Sequence, residues 1–214
     1  GVFVVQFLYM KSIMENLAFD QIYHEHLLYY TLHTIQALLK LHGLELTDAS
    51  LEQIHGGSII GYVAHRDTRV LTDRLLTLIK EEDDAQINSI DRYLEFATQV
   101  KELKIENRKY LAAKKAEGKT IFGLGAPVKG NTLLNYFDLG IETIDCLTER
   151  NELRDGLVSP GKHIPIVLER NIVDHPDVYY VLAWNFKKEI LERNHSLIEQ
   201  GTEFYFPIDP EAVK

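Results

Sequence analysis

From Lys119 onwards the chain alternates strand-like and helix-like stretches, and this alternation restricts its fold more than any other feature. Lys119-Thr120-Ile121-Phe122 reads as a strand, Gly123-Leu124-Gly125-Ala126-Pro127-Val128-Lys129-Gly130 as a turn, and residues 131–137 as a helix. A strand is expected again over 141–147. Residues 178–184 form a near-continuous apolar run of buried-strand type, a helix is expected over 186–200 behind it, and Phe204-Tyr205-Phe206 closes the pattern. Strands apolar on both faces and separated by helices belong to a parallel sheet, so residues 118–214 are expected to form a Rossmann-like α/β domain.

A glycine turn between a strand and a helix aims backbone N–H groups and the positive helix end at an anion, and Lys129 adds a formal charge there. The dinucleotide fingerprint is incomplete, because Val128 stands at its third glycine position and Pro127 removes one amide donor. An acid is expected about twenty positions on, at the end of the next strand, to hold a ribose, and Asp145 and Glu149 are the candidates. The turn therefore reads as a phosphate or nucleotide cradle, with an NAD site as one alternative. A tight turn that binds nothing is the other.

Residues 1–66 read as mixed α/β. Val2-Phe3-Val4-Val5-Gln6-Phe7 looks like a buried strand inside a sheet, and from its abrupt start after Gly1 the chain is expected to be an excerpt of a longer protein. A short helix is expected over 9–16 and another over 31–41, where Leu32, Ile35, Leu38 and Leu39 keep helical spacing and Gly43 ends the run. Residues 44–49 and 59–64 make a hairpin, joined through His55-Gly56-Gly57-Ser58, whose glycines bring backbone amides near whatever lies above them. Residues 67–117 read as a charged helical linker: one helix over 70–80, then Glu81-Glu82-Asp83-Asp84 opening a long helix over 84–117, its charges a solvated face.

Composition excludes several function classes. The formal charge is −9, with 32 acidic against 23 basic residues and no basic block, so neither nucleic acid nor an anionic lipid surface is an expected partner. No apolar run is long enough to span a membrane. One cysteine, Cys146, makes no internal disulfide, and the absence of a secretory signal points to a cytoplasmic protein.

The richest chemistry lies in Phe19-Asp20-Gln21-Ile22-Tyr23-His24-Glu25-His26, where four consecutive positions carry a phenol, two imidazoles and a carboxylate. These are groups suited to moving protons near neutral pH. The same stretch also reads as a polar loop that satisfies buried backbone groups. His24 and His26 would share one face of a strand and so could ligate a metal, but the helical zinc pattern fails, since five residues from His24 end on Leu28 and five from His26 end on Tyr30.

Five motifs in order span nearly the whole chain: that octapeptide, His55-Gly56-Gly57-Ser58, the run from Gly125 through Lys129-Gly130-Asn131 to Asn135, Pro160-Gly161-Lys162-His163-Ile164-Pro165-Ile166, and Ala183-Trp184-Asn185-Phe186. The set resembles the S-adenosylmethionine-dependent sugar C-methyltransferases, which methylate carbon 3 of nucleotide-linked 4-keto deoxysugars. The resemblance implies that residues 1–66 end a Rossmann-like S-adenosylmethionine domain and residues 118–214 form the family's last domain. The adenosylmethionine loop and a zinc-binding cysteine segment would lie outside this chain. It implies His26 as the base that makes an enolate, Tyr23 and Glu25 as its aids, and Gly125, Ala126, Lys129, Gly130 and Asn131, with His55, Gly56 and Gly57, as the residues that hold the nucleotide-linked keto sugar. Where the family shows Asp, and Pro three residues later, this chain has Glu149 and Glu152. A nucleotide-sugar-binding module without catalysis and an NAD-dependent oxidoreductase are the competing readings.

Overall fold

The computed structural model describes residues 1–52 and 56–213 and divides them into two compact units. The first holds Gly1–Ala18 and His24–Thr98, the second Phe19–Tyr23 and Gln99–Lys214. The octapeptide is thus shared out, Phe19 to Tyr23 belonging to the second unit and His24 to His26 to the first.

In the first unit three antiparallel strands, β1 (Phe3–Leu8), β2 (Leu44–Glu52) and β3 (Ser58–His65), lie in the order β1-β3-β2. Helices α1 (Met10–Glu15), α2 (Leu32–Lys40) and α3 (Asp73–Asp84) accompany them. Leu32, Ile35 and Leu39, one stripe of α2, pack with Leu46, Ala49, Ile59, Val63 and Leu75. The expected hairpin is present. Among the described strands β1 pairs with β3 alone, and Phe3 and Val4 are more than half exposed.

In the acidic run Glu81, Asp83 and Asp84 are exposed, as a solvated face requires, and Glu82 is not. Glu81-Glu82-Asp83-Asp84 closes α3 instead of opening the next helix, and α4 begins later (Ile90–Ala116). Its 27 residues span about 40 Å. Gln86, at φ 52°, breaks the path between the two helices. Glu82 is turned inward and wholly buried. Its Oε2 accepts from Tyr9 Oη at 2.9 Å and Leu32 N at 2.7 Å; its Oε1 accepts from His33 N at 3.1 Å and Asn88 Nδ2 at 2.9 Å and lies 2.8 Å from His33 Nδ1. The carboxylate caps α2 beside Thr31, whose hydroxyl accepts from Thr34 N at 3.1 Å. A helix that continued straight through residues 84–89 would not return Asn88 to this carboxylate.

In the second unit six strands, β4 (Ile121–Leu124), β5 (Cys146–Glu149), β6 (Ile166–Leu168), β7 (Val178–Val181), β8 (Glu203–Phe206) and β9 (Glu211–Val213), run in the order β6-β5-β4-β7-β8-β9. All neighbours pair in parallel except β8 and β9. This is the parallel sheet the alternation predicts. The order reverses between β4 and β7, which opens a crevice at the C-terminal ends of those strands. Leu124, Tyr179, Val181, Ile190, Phe204 and Phe206 form one side of the core. Asn107, fully buried on α4, accepts from Tyr180 Oη at 2.8 Å and donates to Leu103 O and Pro207 O.

Two local expectations are corrected here, and two strands are added. The strand expected over 141–147 begins only at Cys146, because Thr143 and Ile144 turn back to bond Gly140 O. The helix expected over 186–200 is two, α6 (Lys187–Arg193) and α7 (His195–Glu199); Asn194 spends its side chain on Ile190 O at 2.8 Å, in competition with the backbone ladder. The short strands β6 and β9 carry too few residues for a periodic signal.

Glu82→Ala strands four donors, Tyr9 Oη, the Leu32 and His33 amides and Asn88 Nδ2, and is expected to cost about 3–5 kcal/mol in a urea denaturation. Hydrogen bonds to the charged form outweigh the burial that pushes this carboxyl upward, so its pKa lies below the ordinary glutamate value. A lowered pKa gives stability that is complete above that ordinary value and is lost as pH falls through the folded one. Glu82→Gln should therefore flatten the acid limb of the stability–pH curve; an unchanged limb would remove Glu82 from the account.

Candidate functional site

A cavity of about 680 Å³ opens in the second unit at the C-terminal ends of β4, β5 and β7. The turn from Leu124 to Lys129 forms one wall, Glu149, Arg150 and Arg154 another, and Tyr23 reaches it from the octapeptide. The turn is shaped by close packing. Gly125 has φ 82° and donates its N–H to Thr148 O at 2.8 Å, which ties the end of β4 to β5. Pro127 precedes α5 (Val128–Phe137) in extended conformation, and Gly130 N bonds Pro127 O at 2.9 Å. A Cβ on Gly130 would meet Pro127 Cγ at 3.2 Å and Leu182 Cβ at 3.3 Å. The close-packing role of the missing third glycine thus falls to Gly130, two positions beyond Val128.

Glu149 bonds the turn from the end of β5. Its Oε2 accepts from Ala126 N at 3.2 Å and Arg154 Nη1 at 2.9 Å, and its Oε1 accepts from Arg150 N at 2.7 Å and Asn151 N at 3.1 Å. Arg154 also bonds the Ala126 carbonyl. Burial raises the Glu149 pKa, but the three amides and Arg154 together bring it below the ordinary range. Asp145, the other candidate for a ribose acid, lies at the opposite end of the sheet. There it accepts from Ile121 N at 2.8 Å and Lys115 Nζ at 2.9 Å.

Lys129 is the cation of the cavity most removed from solvent, with 17% of its side chain accessible. Its ammonium donates to Asn185 Oδ1 at 2.7 Å, lies 4.6 Å from the centroid of the Trp184 ring and stands 4.0 Å from Asp20 Oδ2. Burial lowers its pKa and the Asp20 charge opposes that. Asp20 is wholly buried in the Phe19–Gln21 turn, with Oδ2 accepting from Trp184 Nε1 at 2.7 Å. Burial raises its pKa against Lys129 and the Trp184 N–H. Its Oδ1 is buried with no hydrogen-bond partner among the described residues. Phe19 packs on Tyr136 and Phe137 of α5, both at 5.2 Å between centroids.

Of the residues singled out from sequence, Tyr23, Gly125, Ala126 and Lys129 meet at this cavity. Gly130 and Asn131 follow in α5 and stay off its wall; Asn131 offers its carbonyl to Asn135 Nδ2 at 2.8 Å, and the same Nδ2 bonds Pro160 O at 3.0 Å. In the first unit, Glu25 is exposed and His26 half-buried, its ring edge-on to Tyr29 at 6.3 Å. His55 lies outside the described residues. Gly56 and Gly57 have φ 86° and 125°, and a Cβ on Gly57 would strike Ser12 Cβ at 2.5 Å, so close packing on α1 accounts for that glycine. Among the described residues no group of three or more His, Cys, Asp or Glu is placed to hold a metal ion, and no helix is long and apolar enough to cross a membrane.

Sequence reasoning passed over Asp20, Trp184 and Arg154. An acid set directly after Phe19 in a stretch otherwise poor in solvated residues was the available signal for Asp20. Arg154 carries none, since the 3₁₀ turn Glu152–Arg154 that brings it back to Glu149 has no periodic mark.

Comparison with known proteins adds to this geometry. Residues 53–209 match the family described as C-methyltransferase C-terminal domain. The chain is also 33% identical over 215 residues to the C-methyltransferase NovU of Streptomyces niveus, an alignment that covers all of this chain and 51% of the relative. The chain therefore spans about half the length of the curated relative it matches.

Because Glu149 alone accepts from the Ala126, Arg150 and Asn151 amides, Glu149→Ala is expected to speed exchange of those three N–H groups at least ~10-fold, equivalent to about 1.4 kcal/mol of lost local protection. The Leu32 and His33 amides, held by Glu82, serve as the internal control and should not move. Equal acceleration at both sets would mean global loosening and would reject a local role.

Proposed function

Since the chain belongs to the C-methyltransferase C-terminal domain family, we propose that it is the nucleotide-holding and proton-abstracting part of an S-adenosylmethionine-dependent enzyme that methylates carbon 3 of a nucleotide-linked 4-keto deoxysugar. The observation that carries the substrate class is the cavity. Its described wall bears four basic side chains (Lys129, Arg150, Arg154, Arg193) against three acidic ones (Glu149, Glu169, Glu189), in a chain whose net charge is −9. Positive charge gathered in one cleft of an acidic protein favours an anionic ligand, and a nucleoside diphosphate supplies that anion.

A carbon beside a ketone becomes nucleophilic when a base removes its proton. His26 takes that proton in this reading, Tyr23 donates to the enolate oxygen that forms, and Glu25 orients the imidazole. S-adenosylmethionine supplies the electrophilic methyl group. The described residues of the first unit form an antiparallel sheet with no glycine turn leading into a helix, and in the second unit Glu149 fills the one such turn, so no residue of this chain is assigned to the methyl donor. Residues 1–66 are read as the end of the donor-binding domain, 67–117 as a helical linker, and the protein as cytoplasmic. The competing oxidoreductase reading is weakened at the same turn, where a dinucleotide's pyrophosphate needs the amide that Glu149 holds.

In the protein that carries this sequence together with its donor-binding half, His26→Ala is expected to lower kcat about 10²–10⁴-fold with KM little changed. A variant with near-normal kcat would refute the base. Titrating the present chain with dTDP, NAD and S-adenosylmethionine should give binding to dTDP only; tight NAD binding would overturn the transferase reading in favour of hydride transfer.

A further inference from the structure

We infer that Asp20 is a positioning residue for the cavity's ligand: its carboxylate, buried behind the wall, fixes the Lys129 ammonium and the Trp184 indole and holds the turn from which Tyr23 enters the cavity. The inference rests on the reading of the cavity as a nucleotide site. Three observations lead to it. Asp20 is wholly buried yet has one oxygen without a hydrogen-bond partner among the described residues, an arrangement a purely structural acid avoids. Its other oxygen takes the only indole N–H of the chain and lies 4.0 Å from the one cavity cation that sits over that indole. Tyr23, a lining residue, follows three positions later, just after the 3₁₀ turn that Asp20 centres.

The chemistry is asymmetric. Lys129 retains the Asn185 oxygen and some access to the cavity, so loss of Asp20 leaves it partly satisfied. Asp20 has no exposed surface, so loss of Lys129 leaves a buried anion without a counter-charge, held by the Trp184 N–H and the neighbouring Asp20 and Gln21 amides. A carboxylate kept at such a cost is explained by what it does for the ammonium in front of it. That ammonium, held in place, is the group that meets a phosphate oxygen.

The test uses this chain with Asp20→Asn, Lys129→Met and the double variant, with dTDP and inorganic pyrophosphate as probes in calorimetric titrations and urea unfolding alongside. Lys129→Met is expected to weaken dTDP about 30-fold. Asp20→Asn should weaken it about 10-fold, and the double variant should bind no worse than Lys129→Met alone, as required when one residue acts through the other. Multiplying losses, or wild-type affinity in Asp20→Asn, would overturn the proposal. Without any ligand, Lys129→Met should lower the urea midpoint more than Asp20→Asn does, and adding Asp20→Asn to it should recover part of the loss; additive losses, or an Asp20→Asn chain that does not fold, would also overturn it. If the wild-type chain binds neither probe, the nucleotide reading falls, while the unfolding series still decides whether Asp20 and Lys129 are coupled.

Discussion

The first unit depends on one buried carboxylate. Glu82 gathers the start of α2, the ring of Tyr9, and Asn88 from beyond the end of α3 onto two oxygens. Taking a carboxylate out of water costs several kcal/mol unless the protein returns the hydrogen bonds that water supplied. Here they are all returned, and the lowered pKa follows. The same contacts fix how α3 must end. Because Glu82 points inward and Asn88 must come back to it, the chain turns at Gln86 and a new helix begins at Ile90.

Three inward carboxylates divide by how well they are satisfied. Glu82 and Glu149 each fill both oxygens with donors, and both titrate below the ordinary range. Asp20 titrates above it, because burial exceeds what Lys129, the Trp184 N–H and the Asp20 and Gln21 amides give back. A saturated acid organises backbone: Glu82 caps a helix, and Glu149 closes the turn after β4. An acid left short of partners does not repay its burial in fold stability, and in this chain it stands directly behind the cation of the cavity. The stability argument and the location argument point to the same residue.

How much of this the sequence discloses depends on the range of the interactions. The parallel sheet was legible because each central strand is an apolar run and each crossover helix follows a turn signal; β7 and α5 appear where periodicity puts them. The hairpin of β2 and β3 was legible for the same reason. What was hidden lies in contacts between residues far apart in the chain. Little near Glu82 marks it as buried: Asn88 lies six positions on, but that contact exists only once the chain has turned at Gln86, and the other partners, Leu32, His33 and Tyr9, sit 49 to 73 positions away. At the site, the glycine turn and Lys129 were visible and Asp20 was not, because its partner Trp184 is 164 positions distant.

The glycine turn shows why a motif has to be followed to its hydrogen bonds before a ligand is assigned. On spacing alone it resembles a dinucleotide cradle short of one glycine, and Gly130 restores the close packing that glycine provides. The recognition chemistry is nevertheless different. In a cradle of that kind the backbone amides face the pyrophosphate, whereas here the Ala126 amide already holds Glu149. Charge recognition then passes to side chains. Arg154 is committed to Glu149, Arg193 lies 3.3 Å from Glu169, and Arg150 is exposed. Lys129 differs in that its counter-charge lies behind it in the core, not beside it in the cavity, so its attraction is directed inward to the ligand and a phosphate approaching it displaces no ion pair of the wall. A site built this way selects an anionic group by one fixed cation, and the geometry of that cation is set by the buried acid.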